Sequence, residues 1–453
     1  MSSTKTAAIR PEVRLQAHHR DMLSWARGKP GAIANHGTGL GKTLQAFAIA
    51  EDVGGRCVVI APKTVVSQFS AKVKTFITED RHDAYTFLTY ADFIADPSII
   101  ERLSAKMVVV DEYHQVSQRP SLRKALEEAR AASDFFLLGL TATLFVVSPA
   151  DVVPLVNLVH GSPVWSEQEF RRLYLRIRSM GPGGHSYQAM NLDDFGRRVA
   201  PLIHRIEATE ETNRKLPSVY VETSHVAMRP DQQRRYAAAL REAQVDIQSL
   251  NAEAQDTPAP RLREAVQRAQ RLLGDAPDAK VERVVRDVAS GDTKAAIVAL
   301  GTEGSGLRQL VAGLQGMKRP LAVVRATGGR DQVREEVERF NGGQAQAIVL
   351  PHAASEGVSL RGARRVLLPN VTDVPATEDQ AIGRAARLDS HTDLPPNERR
   401  VDVRKYVLKG QGQQTTDEWL LAVSQKRRAL HRAFEDAIIP GRHGVPGRLP
   451  HRT

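Results

Sequence analysis

The sequence predicts an α/β protein built from two doubly wound parallel-sheet domains with helical insertions between them. Short apolar runs bounded by turn or polar residues alternate with longer helical stretches over the first 160 residues. The same alternation returns after residue 290. Residues 161–290, in between, contain few strand signals and many helix formers, and 453 residues are enough for two large domains.

The predicted elements follow the chain in order. Strands are expected at Cys57–Ala61, Met107–Val110, Phe135–Leu140, Ala295–Leu300, Leu321–Val324, Ala347–Leu350 and Arg365–Leu368, with helices at 64–77, 121–131, 229–255, 261–273, 306–315 and 331–340. The N-terminal domain is expected to cover residues 1–212 and to end in a helical extension at about 161–212. The C-terminal domain, 213–453, is expected to hold a helical insertion at about 229–290 and a basic tail.

Composition limits the class of protein. A net charge of +11, seven units of it in the last 55 residues, favours a polyanionic partner. A single cysteine excludes an internal disulfide framework and a multi-cysteine zinc site. The most apolar long stretch, 144–159, is interrupted by two prolines and an aspartate, so no membrane span is expected. We therefore expect a cytoplasmic location.

A glycine-rich loop provides the first chemical signal. Residues 37–43 read Gly-Thr-Gly-Leu-Gly-Lys-Thr and precede a helical run. Such a loop directs backbone N–H groups at phosphates, while Lys42 would reach the terminal phosphates and Thr43 would bind Mg²⁺. The candidate nucleotide-binding residues are therefore Gly37, Thr38, Gly39, Leu40, Gly41, Lys42 and Thr43. The usual pattern begins with a glycine where this chain has His36.

Two carboxylates provide the second signal. Asp111 and Glu112 directly follow an apolar strand, at the edge where a parallel sheet binds ligands. Asp111 suits Mg²⁺, and Glu112 suits the group that orients the attacking water. The segment Gly139–Thr143 ends the next predicted strand and completes a three-part pattern. Together these segments predict nucleotide hydrolysis.

In these motifs the sequence resembles the superfamily 2 helicases, and among them the SWI/SNF-like DNA translocases. The resemblance rests on motif I at Gly39–Thr43, motif Ia at Val59–Lys63 with Gln68-Phe69, the pair Thr89-Tyr90, motif II at Asp111–His114, motif III at Thr141–Thr143, the pair Phe340-Asn341, motif V at 353–360 and motif VI at Gln380–Arg387. It implies two RecA-like domains that use ATP and Mg²⁺.

The resemblance also assigns roles to individual residues. Gln380, Arg384 and Arg387 join Lys42, Asp111 and Glu112 as catalytic candidates, with both arginines acting as arginine fingers on the γ-phosphate. Their spacing predicts that the two arginines share one face of a helix. His19 falls where the family has its adenine-reading glutamine, and Gly357 of motif V is expected beside the nucleotide.

Nucleic-acid contacts are expected to be mainly to phosphate, because stepping along any sequence cannot depend on base edges. The expected contributors are Lys63, Gln68, Thr89, Thr141, Thr143, His352 and Ser355, each of which could instead serve as a turn or capping residue. Four arginines at 171, 172, 176 and 178 fall partly on one predicted helix face and suit either DNA, a protein partner or solvent.

The predicted function is an ATP-dependent translocase on duplex DNA. One alternative is a strand-separating helicase on forked DNA or RNA, because the same motifs serve both activities. An alternative of another class is a nucleic-acid-binding scaffold without catalysis. The presence of Lys42, Glu112, Arg384 and Arg387 argues against the scaffold, which has no need of all four.

Overall fold

A computed structural model describes most of the chain, in two compact units. It describes residues 8–37, 39–181, 183–207, 214–251, 254–273, 279–300, 307–317, 320–325, 328–355, 357–410 and 412–438. The first unit takes its described residues from Met1–Arg176, Ala189–Thr209 and His431–Val445. The second takes them from Ile177–Gln188, Glu210–Leu430 and Pro446–Thr453. Thr38 and the predicted boundary at 212/213 lie outside the described residues.

The first unit is built on a six-stranded parallel sheet. The strand order is β3-β2-β4-β5-β1-β8. The strands are β1 (Gly31–His36), β2 (Arg56–Ala61), β3 (Tyr85–Thr89), β4 (Ala105–Asp111), β5 (Phe136–Thr141) and β8 (Ile203–Ile206). Every pairing is parallel. Strands β1, β2 and β4 are almost wholly buried, as expected for a parallel sheet covered on both faces.

Helices cover both faces of this sheet. They are α1 (Ala17–Ala26), α2 (Lys42–Val53), α3 (Val66–Phe76), α4 (Tyr90–Ala95), α5 (Ile99–Arg102), α6 (Gln115–Gln118), α7 (Pro120–Ala132), α8 (Val152–His160), α9 (Glu167–Tyr174) and α10 (Leu192–Val199). One core cluster joins Phe47 of α2 with Phe69 and Val73 of α3 against the strands. Burial of these apolar faces therefore fixes the helix that follows the phosphate loop.

The second unit contains another six-stranded parallel sheet, ordered β12-β13-β11-β14-β15-β9. Its strands are β9 (Ser218–Ala227), β11 (Ala295–Ala299), β12 (Leu321–Val323), β13 (Ala347–Pro351), β14 (Arg365–Leu368) and β15 (Arg400–Lys409). Its helices are α11 (Pro230–Glu242), α12 (Ile247–Asn251), α13 (Pro260–Leu273), α14 (Ala279–Ser290), α15 (Leu307–Gln315), α16 (Arg330–Asn341), α17 (Pro375–Ala385) and the part of α18 (Thr416–Ile438) up to Leu430.

A small antiparallel sheet also belongs mainly to the second unit. Strands β6 (Leu175–Gly181) and β7 (Gly184–Ala189) form a hairpin, and β10 (Thr257–Pro258) pairs with β7. Beside it, helices α11 and α13 pack with the start of α18 in a separate core that contains Tyr236, Val266 and Trp419. This insertion is thus a packed subdomain of its own.

The predicted fold class is confirmed: two parallel-sheet α/β units with helical insertions. All seven predicted strands are present within one or two residues at each end. The predicted helix at 229–255 is wrong as a single helix, because the chain breaks between α11 and α12, where Gln244 takes a left-handed φ of 57°.

The sequence missed β1 and β3 of the first sheet, the strands inside 161–212 and the long pair β9–β15. The first region holds β6, β7 and β8 between its helices, so its expected all-helical character is wrong. Arg176 and Arg178 lie on β6 and not on a helix face, and Arg176, Ile177 and Arg178 are all exposed, as a strand at the edge of a sheet allows. No helix in the described parts of the chain has the length and apolarity needed to cross a bilayer.

Candidate nucleotide site and motor motifs

The phosphate loop links the end of β1 to the start of α2. Gly39 and Gly41 have φ values of 86° and 70°, a left-handed conformation that favours glycine. At Gly37 an added Cβ would lie 2.1 Å from the carbonyl oxygen of Glu207, so this position also excludes a side chain. The loop sequence is therefore required by the tight path of its backbone.

Lys42 and Thr43 occupy the first turn of α2. Lys42 Nζ donates hydrogen bonds to the carbonyl oxygens of His36, at 2.9 Å, and Gly37, at 3.2 Å. Gly41 is the N-cap and has no side chain that could bond the first N–H groups of the helix. These donors and the positive end of the helix dipole make the loop suited to a phosphate.

Two adjacent histidines of α1 form hydrogen bonds with the backbone of the phosphate loop. His18 Nε2 lies 2.9 Å and His19 Nε2 lies 3.0 Å from the carbonyl oxygen of Leu40, so each ring donates from Nε2. The His19 Nδ1 atom accepts a hydrogen bond from the backbone N–H of Gln16 at 3.2 Å. Burial lowers the pKa of His19 to about 4. Both of its nitrogens are thus engaged within the protein, and its adenine-reading role stays a prediction.

A second histidine chain, which the sequence did not reveal, begins at the residue that replaces the usual first glycine. His36 Nε2 lies 2.8 Å from His204 Nδ1, and His204 Nε2 lies 3.1 Å from Asp21 Oδ2. Because the Asp21 carboxylate can only accept, His204 donates to it from Nε2. A neutral His204 then accepts at Nδ1 from the Nε2–H of His36. Burial, followed by the neighbouring His204 and Lys42, lowers the pKa of His36 to about 2. The only sequence signal was His36 itself, at a position that usually holds glycine.

The carboxylate pair lies at the carboxyl end of β4. Asp111 is the last residue of the strand, and Glu112 takes a left-handed φ of 48° that turns the chain away. The Tyr90 hydroxyl donates to the Asp111 carbonyl oxygen at 2.5 Å. Burial raises the pKa of the Asp111 carboxyl, Glu112 raises it further and Lys42 opposes the change. A desolvated carboxylate beside a second one favours a bound cation.

A hydrogen-bonded chain joins motif II to motif III. His114 Nδ1 lies 3.0 Å from Thr141 Oγ1 and 3.5 Å from Glu112 Oε2. The Thr141 hydroxyl donates to the Thr143 carbonyl oxygen at 2.6 Å and accepts from the Thr143 N–H at 3.1 Å. Thr141 and His114 are buried, so this chain ties the carboxylate-bearing turn after β4 to the end of β5.

The end of β1 is tied down by a buried arginine that the sequence analysis also missed. Arg205 of β8 bonds Asn35 Oδ1 and donates to Glu207 Oε1 at 2.9 Å and to Glu435 Oε2 at 3.2 Å. Its side chain is 7% exposed, so the carboxylates neutralise a charge that would otherwise be buried at a cost. No local motif marks Arg205, because its partners are distant in sequence.

The motif VI residues lie at and beyond the end of α17. Gln380 is half-buried within the helix, and Arg384 is buried in its last turn. The helix ends at Ala385, where the Ser390 hydroxyl donates to the Ala385 carbonyl oxygen at 2.8 Å. The prediction that both arginines share one helix face is therefore wrong, because Arg387 follows the helix and its Nη1 donates to the Val358 carbonyl oxygen at 3.2 Å.

Motif V is held by the asparagine that precedes it. Asn341 Nδ2 donates to the Ser359 carbonyl oxygen at 3.0 Å, and the Arg361 N–H donates to Asn341 Oδ1 at 2.8 Å. Gly357 has a φ of 76°, which explains a glycine in this turn. His352 lies directly before motif V. Its burial, and then the positive charge of Arg384 on α17, lower the pKa of its imidazole.

The predicted nucleic-acid contacts occupy three kinds of position. Lys63 and Gln68 are exposed. Thr89 is the N-cap of α4, where its Oγ1 accepts from the Asp92 N–H at 3.1 Å. The others are buried or half-buried: Thr141, Thr143, His352 and Ser355, the last with its hydroxyl donated to the His352 carbonyl oxygen at 2.7 Å. Of the seven predicted contacts, only Lys63 and Gln68 are therefore exposed to solvent.

Comparison with family models agrees with this arrangement of motifs. The SNF2-related domain matches residues 84–271, the Type III restriction enzyme res subunit matches 11–146 and the helicase conserved C-terminal domain matches 280–389. A candidate ATP-dependent RNA helicase, L538 of Acanthamoeba polyphaga mimivirus, is 22% identical over 443 residues, covering 94% of this chain and 96% of its own.

Solved structures are similar at the level of the fold. The helicase domain of Pyrococcus furiosus Hef is similar with a TM-score of 0.50 and 13% identity, over 89% of this chain and 98% of its own. The Sulfolobus solfataricus SWI2/SNF2 ATPase core, solved with double-stranded DNA, has a TM-score of 0.41 and 17% identity, over 94% of this chain and 96% of its own. With an SNF2-related model over residues 84–271 and a helicase C-terminal model over 280–389, the chain is an ATP-hydrolysing, nucleic-acid-dependent enzyme. It belongs to the SNF2-like superfamily 2 helicases.

Proposed function

We propose that this enzyme is a translocase that moves along duplex DNA by repeated ATP hydrolysis. The observation that supports it best is the chain of polar contacts from Glu112 through the buried His114 and Thr141 to Thr143. It links the residue expected to align water with the turn at the carboxyl end of β5, a kind of position where sheet proteins bind ligands. Such a link would let ATP hydrolysis and polymer binding depend on each other.

The nucleotide is held by the first unit. The loop N–H groups and Lys42 bind the phosphates, and Thr43 and Asp111 bind Mg²⁺, whose charge neutralises the phosphate oxygens. The half-buried Asp111, with its raised pKa, fits this ion because a cation restores the charged form of the carboxyl. Glu112 orients the attacking water.

The second unit supplies two cations. Arg384 and Arg387 act on the charge that develops on the γ-phosphate, an effect worth about 10³–10⁵ in rate where arginine fingers have been tested. Gln380 assists from the preceding turn of α17. Because the arginines and the carboxylates belong to different units, hydrolysis depends on a domain movement, and that movement drives the step along DNA.

Duplex DNA is proposed as the track because the SNF2-related model covers the region from β3 to α13. Strand separation on forked DNA or on RNA is the second candidate. The name of the mimivirus relative favours it, since that protein is described as an RNA helicase. Both candidates use the same ATP site. They differ in whether the enzyme moves along an intact duplex or separates the two strands.

Two measurements distinguish the candidates. The ATPase rate is measured with duplex DNA, single-stranded DNA and RNA in parallel, and the same protein is tested for triplex displacement and for unwinding of a forked duplex. Stimulation by duplex DNA with triplex displacement and without unwinding supports the proposal. Unwinding of the fork, or stimulation by RNA alone, supports the second candidate and overturns the first.

A further inference from the structure

The hairpin of β6 and β7 has one face fixed to the protein. Ser179 Oγ donates to Gln255 Oε1 at 3.0 Å, and Ser186 Oγ donates to the same oxygen. The Tyr187 N–H donates to Asp256 Oδ2 at 2.8 Å. Since both serines reach one amide oxygen, they lie on one face of the hairpin, and this face is held in place.

Residues that alternate with these serines lie on the opposite face. On β6 these are Arg176, Arg178 and Met180, and Met180 is 76% exposed. On β7 they are His185 and Tyr187, whose rings meet edge to face with centroids 4.9 Å apart. The free face therefore combines guanidinium groups, half-buried rings and an exposed apolar side chain.

This face carries positive charge without acidic neighbours in sequence. Residues 170–189 contain four arginines and no aspartate or glutamate. Arg176 and Arg178 are exposed, and no carboxylate within the described residues forms an ion pair with either. Exposed arginines elsewhere do pair, as Arg102 does with Asp96 and Arg334 with Glu338. The lack of acids leaves these two guanidiniums able to bind an external anion.

β6 is also the outer strand of its sheet. In the order β10-β7-β6 it has a strand on one side only, among the residues that the structure describes. Alternate residues of a strand lie about 6.6–6.8 Å apart on one face, so the two long guanidinium side chains can reach neighbouring phosphates of one nucleic-acid strand. Two arginines at this spacing can therefore bind the same phosphate backbone at once.

We propose that the free face of the β6–β7 hairpin is a nucleic-acid contact surface. Arg176 and Arg178 bind backbone phosphates, and Met180 makes an apolar contact with the bases or sugars beside them. The proposal rests on the proposed function, because it takes the partner of this enzyme to be a nucleic acid. It adds a site outside the helicase motifs.

The test combines Arg176→Gln and Arg178→Gln in one variant, with Arg334→Gln as the matched control. Arg334 is an exposed arginine whose partner is Glu338 on its own helix. Binding of a labelled duplex is followed by anisotropy at several salt concentrations, and ATPase stimulation is measured against duplex concentration. The double variant is expected to need about tenfold more duplex for half-stimulation. Its plot of log affinity against log salt should be shallower by about 0.9 for each lost phosphate contact.

Met180→Ser separates the apolar contact from the charges. It is expected to weaken duplex binding severalfold without changing the salt dependence, because no phosphate contact is removed. A double arginine variant with the same half-stimulating concentration and salt dependence as Arg334→Gln would overturn the hairpin proposal. That outcome leaves an acidic protein as the partner of this face. A wild type that no nucleic acid stimulates overturns the proposed function instead, so the two failures are distinguishable.

Discussion

The phosphate loop of the first unit and the arginine segment of the second are held in different ways. The loop is fixed by its own path from β1 to α2, by Lys42 on two of its carbonyl oxygens and by His18 and His19 on a third. The arginine segment depends on where a helix stops, since Arg384 lies in the last turn of α17 and Arg387 lies after it.

This difference shows which of the candidate ATPase residues are positioned by their neighbours in sequence. A strand, a glycine loop and a helix follow one another in sequence, so most of the path of the loop is set locally, although His18 and His19 of α1 and the backbone of Glu207 also constrain it. The end of α17 is determined by Ser390 and by Leu360, whose N–H donates to the Arg384 carbonyl oxygen at 2.9 Å. We therefore expect substitutions in the first unit to affect nucleotide binding, and those in the second to affect turnover.

The largest effect is expected at Arg384. Arg384→Ala should lower the ATPase rate by about 10³–10⁵ while a fluorescent ATP analogue still binds, because an arginine finger acts mainly in the transition state. Arg384→Lys keeps the charge of this buried side chain and guards against misfolding, yet should lose most of the rate, since lysine lacks the planar fork. Arg334→Gln serves as the control. Full turnover by Arg384→Lys would contradict the assignment.

Lys42 is expected to give the next largest effect, and of another kind. Lys42→Ala should lower turnover by roughly 10²–10³, the loss typical of one removed electrostatic stabiliser, and should also weaken nucleotide binding. Stopped-flow binding and steady-state rates measure the two separately. Lys124→Ala, at a lysine that is 78% exposed, is the matched control. If Lys42→Ala binds ATP as the wild type does, the contrast between the two units fails.

Thr141 tests the link inside the first unit. Thr141→Val keeps the shape of a buried side chain and removes the hydroxyl that bonds His114 and Thr143. We expect the ratio of stimulated to unstimulated ATPase rate to fall about tenfold, because a coupling free energy between two sites is typically about 1–3 kcal/mol. Thr75→Val, at an exposed threonine of α3, is the control. An unchanged ratio would show that stimulation does not pass through motif III.

The smallest effect concerns the histidines behind the loop and is seen in stability. Because the pKa of His19 is lowered to about 4 in the folded protein, the unfolded chain binds the proton first as the pH falls below about 6.5. The free energy of unfolding should therefore decrease between pH 7 and pH 5, with His19 contributing on the order of 1–2 kcal/mol to this loss.

Urea unfolding at both pH values, for wild type and His19→Gln, measures this contribution. The variant should lose less stability on acidification than the wild type. His160→Gln, at an exposed histidine of α8, should behave as the wild type does. Equal pH dependence in all three proteins would show that His19 titrates normally and that its burial is not maintained in solution.

The sequence alone determined the sheet strands with short apolar runs, the phosphate loop, the carboxylate pair and the two-domain order, because each depends on residues that are neighbours in the chain. It missed β1 and β3, and it missed β6 and β15, whose mixed polar and apolar residues form no continuous apolar run, although half of β15 is buried. Strand pairing at a distance supplies that burial.

Tertiary structure decided the rest. The bonds from His36 to His204 and from Arg205 to Asn35 join residues about 170 positions apart, and no local pattern encodes such partners. The same is true of the free hairpin face. In the sequence its arginines fit a helix face, whereas in the structure they lie on a strand whose hairpin is held by Gln255 and Asp256. Local spacing specifies chemistry, whereas burial and distant hydrogen bonds specify where that chemistry is presented.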